Sequence, residues 1–325
     1  MSYEPLLLVP GLASLLVGGD VVVRGASTLA RTLGISPLVV GLTVVAFGTS
    51  MPELAVNLTA TWEGNSSLAF GNIVGSNLAN IGLVVGMTAL LRPIPLDRTI
   101  VIRELPMMLL ATSAAWVMGS DFVAGRLPAS YDRADGILLL LFFTVFLYYT
   151  VREVHRQRVN HLLAGTESYT HEERGGSVNR SLMLIGAGLA GLVLGSEWTV
   201  KGGVALARGL AVPEEVIGLS VVAIGTSLPE LAAGLVASAR GHMDLAVGNV
   251  VGSNVFNLLV VLGACSLVHP VPVPPGGAGD LLVLAVFSGL LMVVALSYSR
   301  RILRIEGAGL LLLYLGYLTT RTLLS

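Results

Sequence analysis

Residues 41–60 read GLTVVAFGTSMPELAVNLTA, and residues 218–237 read GLSVVAIGTSLPELAAGLVA. Fourteen of these twenty positions are identical at an offset of 177. Further along, GNIVGSN at 71–77 is answered by GNVVGSN at 248–254. Upstream, Gly11-Leu12-Ala13 matches Gly188-Leu189-Ala190, and Leu29-Ala30-Arg31 matches Leu206-Ala207-Arg208. The register needs no gap from 11 to 91, so the chain is an internal duplication.

The composition says where such a duplication resides. The 325 residues are 54% hydrophobic and 12% charged, with a mean hydropathy of +0.82. An ordinary soluble domain carries about 25% charged residues. A single cysteine, Cys265, excludes a disulfide scaffold, and a net charge of −1 gives no support to nucleic-acid binding. The 39 glycines and the 6% aromatic share suit helices that approach closely in lipid. The apolar runs are too long and unbroken for a transmembrane β-barrel.

A helical span needs about 20 apolar residues. Ten spans are expected, at 5–30, 37–62, 67–91, 100–119, 133–151, 181–208, 213–239, 244–268, 280–298 and 306–323. The first is not a signal peptide by its pattern, since Met-Ser-Tyr-Glu supplies no basic residue. Five spans fall in each copy, and five is odd, so the second copy enters the membrane upside down. The expected fold is therefore an all-α polytopic membrane protein of ten transmembrane helices in two inverted five-helix repeats. The first repeat is residues 1–151, a connecting loop is 152–180, and the second repeat is 181–325. Inverted repeats of this kind build secondary transporters around a site near the bilayer midplane. Thirteen arginines lie on the side of loop 152–180 and four on the other, which places that loop in the cytoplasm and both termini outside.

Each copy carries one carboxylate, two hydroxyls and a proline within six residues: Gly48-Thr49-Ser50-Met51-Pro52-Glu53 and Gly225-Thr226-Ser227-Leu228-Pro229-Glu230. A charge at the bilayer centre costs at least about 2.5–3.5 kcal/mol. Glu53 and Glu230 therefore call for a cation or a proton. Proline lacks an N–H and pushes away the carbonyl four residues back, so the helix breaks or kinks there. Irregular backbone at that depth is tolerated only where it lines a cavity or is buried in protein. The resulting donors are carboxylates, hydroxyls and freed carbonyls, which suit Ca²⁺ and Na⁺. No His or Cys cluster offers a soft-metal site, since His155, His161 and His171 fall in the loop and His242 and His269 near span ends.

The third and eighth spans add Asn72, Ser76 and Asn80, and Asn249, Ser253 and Asn257, at four-residue spacing on one helix face. Asn77 and Asn254 lie on another face and are assigned to interhelical bonding. Asp20 with Arg24, and Glu197 with Lys201, form matched i,i+4 pairs that neutralise themselves. Cys265 is assigned to the core, and Trp62 and Trp116 to the membrane interface.

The paired GTSxPE and GNxVGSN elements resemble the two α-repeats of the cation/Ca²⁺ antiporter superfamily, with the prokaryotic sodium/calcium exchanger family as the nearest type. The likeness runs over essentially the whole chain. It implies four cation sites between helices two, three, seven and eight. Glu53 and Glu230 would be ligands shared by Ca²⁺ and Na⁺, and the carbonyls of Thr49 and Thr226 would complete a central Ca²⁺ site. Ser50 and Ser76 with the carbonyl of Ala46 would form one outlying Na⁺ site. Ser227 and Ser253 with the carbonyl of Ala223 would form its mirror. Asn80 and Asn257 would line the centre. The likeness also implies that helices one and six slide as a unit. Some family members are acidic where this chain has Asn257, and that acid is associated with K⁺ dependence. Proton-coupled members carry GNxxE in place of GTSxPE.

Two carboxylates are neutralised by one Ca²⁺, so Ca²⁺ and several Na⁺ exclude one another. The expected function is a secondary antiporter in a prokaryotic plasma membrane that expels Ca²⁺ as Na⁺ enters. The resemblance adds an electrogenic ratio of three Na⁺ per Ca²⁺. H⁺/Ca²⁺ exchange on the same scaffold is the alternative, and a cation channel a more distant one. An enzyme is not expected, because no Ser–His or Cys–His pairing lies at depth. Neither a cofactor nor a protein partner is implied beyond the ions and the bilayer.

Overall fold

The computed structural model describes residues 4–120, 129–163, 177–210, 225–296 and 300–324. It is a helical bundle. Helix α1 is Leu8–Leu33, preceded by a 3₁₀ turn at Glu4–Leu7. Then follow α2 (Pro37–Thr49), α3 (Met51–Trp62), α4 (Ser66–Leu91) and α5 (Ile100–Met118). The others are α6 (Arg133–Leu163), α7 (Val178–Gly209), α8 (Leu228–Ala239), α9 (Met243–Val268), α10 (Gly277–Ala295) and α11 (Arg304–Leu324). Among the described residues seven helices are long and apolar enough to cross a membrane, and the bent pair α2–α3 makes an eighth.

The expected span 37–62 is broken as its proline demands. α2 and α3 meet at 41° across Ser50. The second copy has the same joint: Ser50 has φ −90°, ψ 2°, and Ser227 φ −90°, ψ 3°. Of the expected span 213–239, residues 213–224 lie outside the described residues. The span expected at 133–151 is too short. Helix α6 continues to Leu163, its polar turn held by Glu153, which accepts from both Arg156 and Gln157. Gln157 then receives the backbone N–H of Ser36 at 2.8 Å, and Arg158 donates to the carbonyl of Leu33 at 3.2 Å. The end of α6 thus props the elbow between α1 and α2.

Helices α1 and α7 pack along their length, backbone on backbone. A Cβ on Gly11 would meet Thr199 N at 2.6 Å, and one on Gly188 would meet Val22 N at 2.7 Å. Gly18 and Gly195 are equally tight, against Leu192 N at 2.8 Å and Leu15 N at 2.7 Å. Each of these contacts maps onto its partner by the offset of 177. Small residues are what allow such an approach where lipid competes for apolar contact.

Helices α2, α3, α4, α8 and α9 form the inner layer, where α4 and α9 are mostly buried. α2 crosses α9 at Gly41, Gly248 and Gly252, where added Cβ atoms would come within 2.5–2.7 Å of backbone oxygens. Outside them, α5, α6, α10 and α11 carry exposed apolar side chains such as Leu110, Leu141, Val293 and Leu312. Two antiparallel two-residue ladders close the ends. β1 (Ile94–Pro95) pairs with β4 (Arg301–Ile302), and β2 (Ser130–Tyr131) pairs with β3 (Val271–Pro272).

Candidate cation site

The joint at Ser50 ends one helix and starts another. A helix that ends leaves carbonyls of its last turn without intrahelical partners, although the Ala46 carbonyl still accepts the Ser50 N–H at 3.0 Å. Glu53 lies in the first turn of α3, and Glu230 in the first turn of α8. Both are almost wholly buried, at 2% and 1% exposure. The elements around them are α4 and α9. Each of these widens into a π-helical segment that begins at the twin asparagines, Asn80–Val85 and Asn257–Val261. Such π segments are frequent at functional sites.

The donors fall into two groups. In the first, Ser50 Oγ donates to Glu230 Oε1 at 3.1 Å. Thr49 and Ser253 face the same carboxylate. Thr49 Oγ1 donates to Asn249 Oδ1 at 3.2 Å, and Ser253 Oγ to the carbonyl of Ala46 at 3.4 Å. In the second group, Ser76 Oγ lies 3.3 Å from Thr226 Oγ1. Thr226 donates to Asn72 Oδ1 at 3.1 Å, and Asn72 Nδ2 to Asn57 Oδ1 at 3.1 Å. Each break therefore faces the long inner helix of the other copy.

This grouping differs from the one the resemblance implied. Ala46 and Ser50 are joined by Ser253 and Glu230, and Ser76 by Thr226. The cause is the glycine crossing of α2 on α9, which carries the Ala46 carbonyl to Ser253. Ala223, expected to mirror Ala46, lies outside the described residues.

Among the described residues several buried polar atoms have no hydrogen-bond partner: both carboxylate oxygens of Glu53, Glu230 Oε2, Ser227 Oγ and both amide atoms of Asn257. The two glutamates also repel one another electrostatically. Unpartnered buried oxygens in an apolar bundle are costly. Hard oxygen donors in this number match a cation that takes about 6–8 oxygens in flexible geometry. Asn80 is engaged elsewhere in part: its Nδ2 donates to Asn254 Oδ1 at 3.0 Å, while its Oδ1 is unpartnered. Asn254 also donates to the carbonyl of Asn77 at 3.4 Å, which ties α4 to α9. Asn57 was not anticipated as a neighbour. Its i,i+4 spacing from Glu53 is the signal that places it on the same buried face.

The matched ion pairs form, and one of them is larger than expected. Arg24 reaches Asp20 at 2.8 Å, and Asp20 also binds Arg240 from the end of α8. Lys201 reaches Glu197 at 2.5 Å in an exposed pair. Cys265 is free and buried, as assigned. Trp62 is 81% exposed, whereas Trp116 packs half-buried on the core.

The chain's relatives and its fold are those of transporters, not enzymes. The family model described as sodium/calcium exchanger protein matches residues 3–152 and 180–323. The chain is 40% identical over 321 residues to the putative antiporter CaxA of Alkalimonas amylolytica, covering 98% of each. It is 31% identical over 338 residues to the sodium/calcium exchanger MaX1 of Methanosarcina acetivorans, covering 96% of this chain and 97% of that one. It is 36% identical to the Escherichia coli inner membrane protein YrbG, over 85% of this chain and 83% of that one. The solved structure of the sodium-calcium exchanger NCX_Mj, soaked with 10 mM Na⁺ and zero Ca²⁺, superposes with a TM-score of 0.82 at 32% identity. That match covers 98% of this chain and 99% of the other. The chain belongs to the sodium/calcium exchanger family.

Proposed function

We propose that the protein is a Na⁺/Ca²⁺ antiporter of a prokaryotic plasma membrane that expels Ca²⁺ as Na⁺ enters. The observation that carries this is the pair Glu53 and Glu230, buried among hydroxyls and carbonyls, with three of their four oxygens lacking a partner among the described residues. A charge of −2 is met by one Ca²⁺ or by Na⁺ ions, and the ions displace one another. Glu53, Glu230, Thr49 and Thr226 bind Ca²⁺. Ala46, Ser50 and Ser253 supply one Na⁺ site beside Glu230, while Ser76, Ser227 and Ala223 supply another beside Glu53. Asn80 and Asn257 line the space between. More than two Na⁺ per Ca²⁺ makes the exchange electrogenic.

The architecture in this proposal is ten helices in two inverted repeats, 1–151 and 181–325, joined by a cytoplasmic loop at 152–180, with both termini outside. The superposition on NCX_Mj and the matched joints at Ser50 and Ser227 support it. Access alternates as α1 and α7, clamped together by their glycines, move as one body over the inner layer.

The test is uptake of radioactive Ca²⁺ by proteoliposomes loaded with Na⁺. An outward Na⁺ gradient should drive uptake, and an inside-positive potential should change its rate. Uptake driven by a pH gradient alone would move the assignment to H⁺/Ca²⁺ exchange. Glu53→Gln and Glu230→Gln should each abolish Ca²⁺ transport, and wild-type flux in either variant would remove the shared site.

A further inference from the structure

The two copies are alike in sequence but differ in how α1 and α7 meet the inner layer. α1 lies along α8, where a Cβ on Gly19 would meet the carbonyl of Ala232 at 3.2 Å. Ala232 is buried beneath it, while its twin on α3, Ala55, is exposed. Val236 is likewise half-buried against α1, while its twin Thr59 is exposed. Among the described residues α7 makes no comparable contact with α3. The sliding pair is thus drawn onto one half-helix and away from its twin.

Charge follows the same asymmetry. Arg240 follows the last residue of α8 and binds Asp20 on α1. The offset of 177 maps Arg240 onto Glu63, which follows the last residue of α3, and maps Asp20 and Arg24 onto Glu197 and Lys201. Only the residue after the half-helix has changed sign, Arg240 in one copy and Glu63 in the other, while α1 and α7 keep the same acid-then-base order, so the oppositely charged group on α7 for Glu63 is Lys201 and not Glu197. Among the described residues Glu63 forms no ion pair, and Lys201 pairs only within its own helix. A carboxylate at a helix C-terminus opposes the helix dipole, so Glu63 does not serve α3 itself. It would be relieved by a cation brought to it.

We propose that Asp20–Arg240 and Glu63–Lys201 are positioning pairs that form alternately, each holding α1 and α7 at one end of their travel. The first pair closes the face on which Arg240 lies. When α1 withdraws from α8, α7 moves onto α3, Ala55 is covered, and Lys201 meets Glu63. This rests on the alternating-access function proposed above. Arg240, Glu63 and Lys201 are exposed and Asp20 is half-buried, so each pair contributes little by itself and tilts the balance between two states without locking either.

The experiment uses the full chain in lipid vesicles, with Cys265 replaced by Ala. Cysteine pairs at 20/240 and at 63/201 are treated with a short bifunctional thiol reagent at varied Na⁺ and Ca²⁺. Cross-linking at 20/240 should fall as that at 63/201 rises. In the 63/201 pair, adding Arg240→Gln should raise cross-linking about two- to fivefold, whereas Arg240→Lys should not. Asp20→Asn breaks the same bridge from α1 and should act alike if Arg240→Gln does not fold. Yields at 63/201 that stay at zero, or that do not respond to either substitution, overturn the proposal. Radioactive Ca²⁺ flux in wild-type vesicles separates the two ideas. Coupled flux with unresponsive cross-linking rejects the pairs alone, and absence of coupled flux rejects the exchange function and the pairs with it.

Discussion

At the scale of single residues, the buried polar atoms divide into those that hold the bundle together and those that the proposed function assigns to an ion. Asn254 belongs to the first kind, since it accepts from Asn80 and donates to the Asn77 carbonyl. Asn254→Ala should cost about 1–3 kcal/mol of stability, because it orphans buried partners. Thermal unfolding in detergent would measure it. Ser50 belongs to the second kind. Its hydroxyl donates to Glu230, and hydrogen bonds to charged groups contribute about 1.5–3 kcal/mol. Ser50→Ala should therefore weaken Na⁺ activation of transport by about tenfold. The two glutamates, the hydroxyls and the separate role of Asn254 were legible from spacing and duplication. The bond from Ala46 to Ser253 was not, because 207 residues separate them and only the crossing of α2 over α9 brings them together. Arg240 escaped for the same reason: an i,i+4 partner for Asp20 was already visible in Arg24.

At the scale of helices, glycine decides which surfaces can meet. A Cβ at Gly188 would enter the backbone of α1, whereas one at Gly186 would meet nothing within 4 Å. Gly188→Ala should cost about 1–3 kcal/mol through overpacking and lower the yield of folded protein. Gly186→Ala should be neutral or stabilise by up to about 1 kcal/mol, as alanine does in an open helix position. Comparing unfolding temperatures of the two variants tests the assignment. The break in α2–α3 was readable from Pro52. The π-helical segments at Asn80 and Asn257 were not, since an extra backbone residue per turn leaves no signature in hydrophobic period. The overrun of α6 to Leu163 was missed because hydropathy marks where apolar residues stop, not where a helix does. Its polar end is held instead by Glu153, Arg156 and Gln157.

At the scale of the whole molecule, the site draws on both copies at once. Glu230 is held by Ser50 from the other copy, and Thr226 by Ser76 and Asn72. Under the proposed function, Na⁺ and Ca²⁺ would contend for one shared set of oxygens. Raising Na⁺ on the side from which Ca²⁺ binds should raise the apparent KM for Ca²⁺ and leave the maximal rate unchanged. Initial rates of uptake at graded Na⁺ would show this. The repeat made the two-copy plan plain from the sequence, because an offset of 177 survives without a gap through the first three spans.

The two small ladders carry a consequence for synthesis. Each joins a strand of the first copy to a strand of the second: Ile94 faces Ile302, and Ser130 faces Pro272. The strands of the first copy have no partner until the ribosome has passed residue 272 for one and 302 for the other. The early half must therefore wait in the bilayer with its loop edges open. Helix α11 then packs on α4, so a chain truncated before β4 would lack both the ladder at Ile94 and that packing.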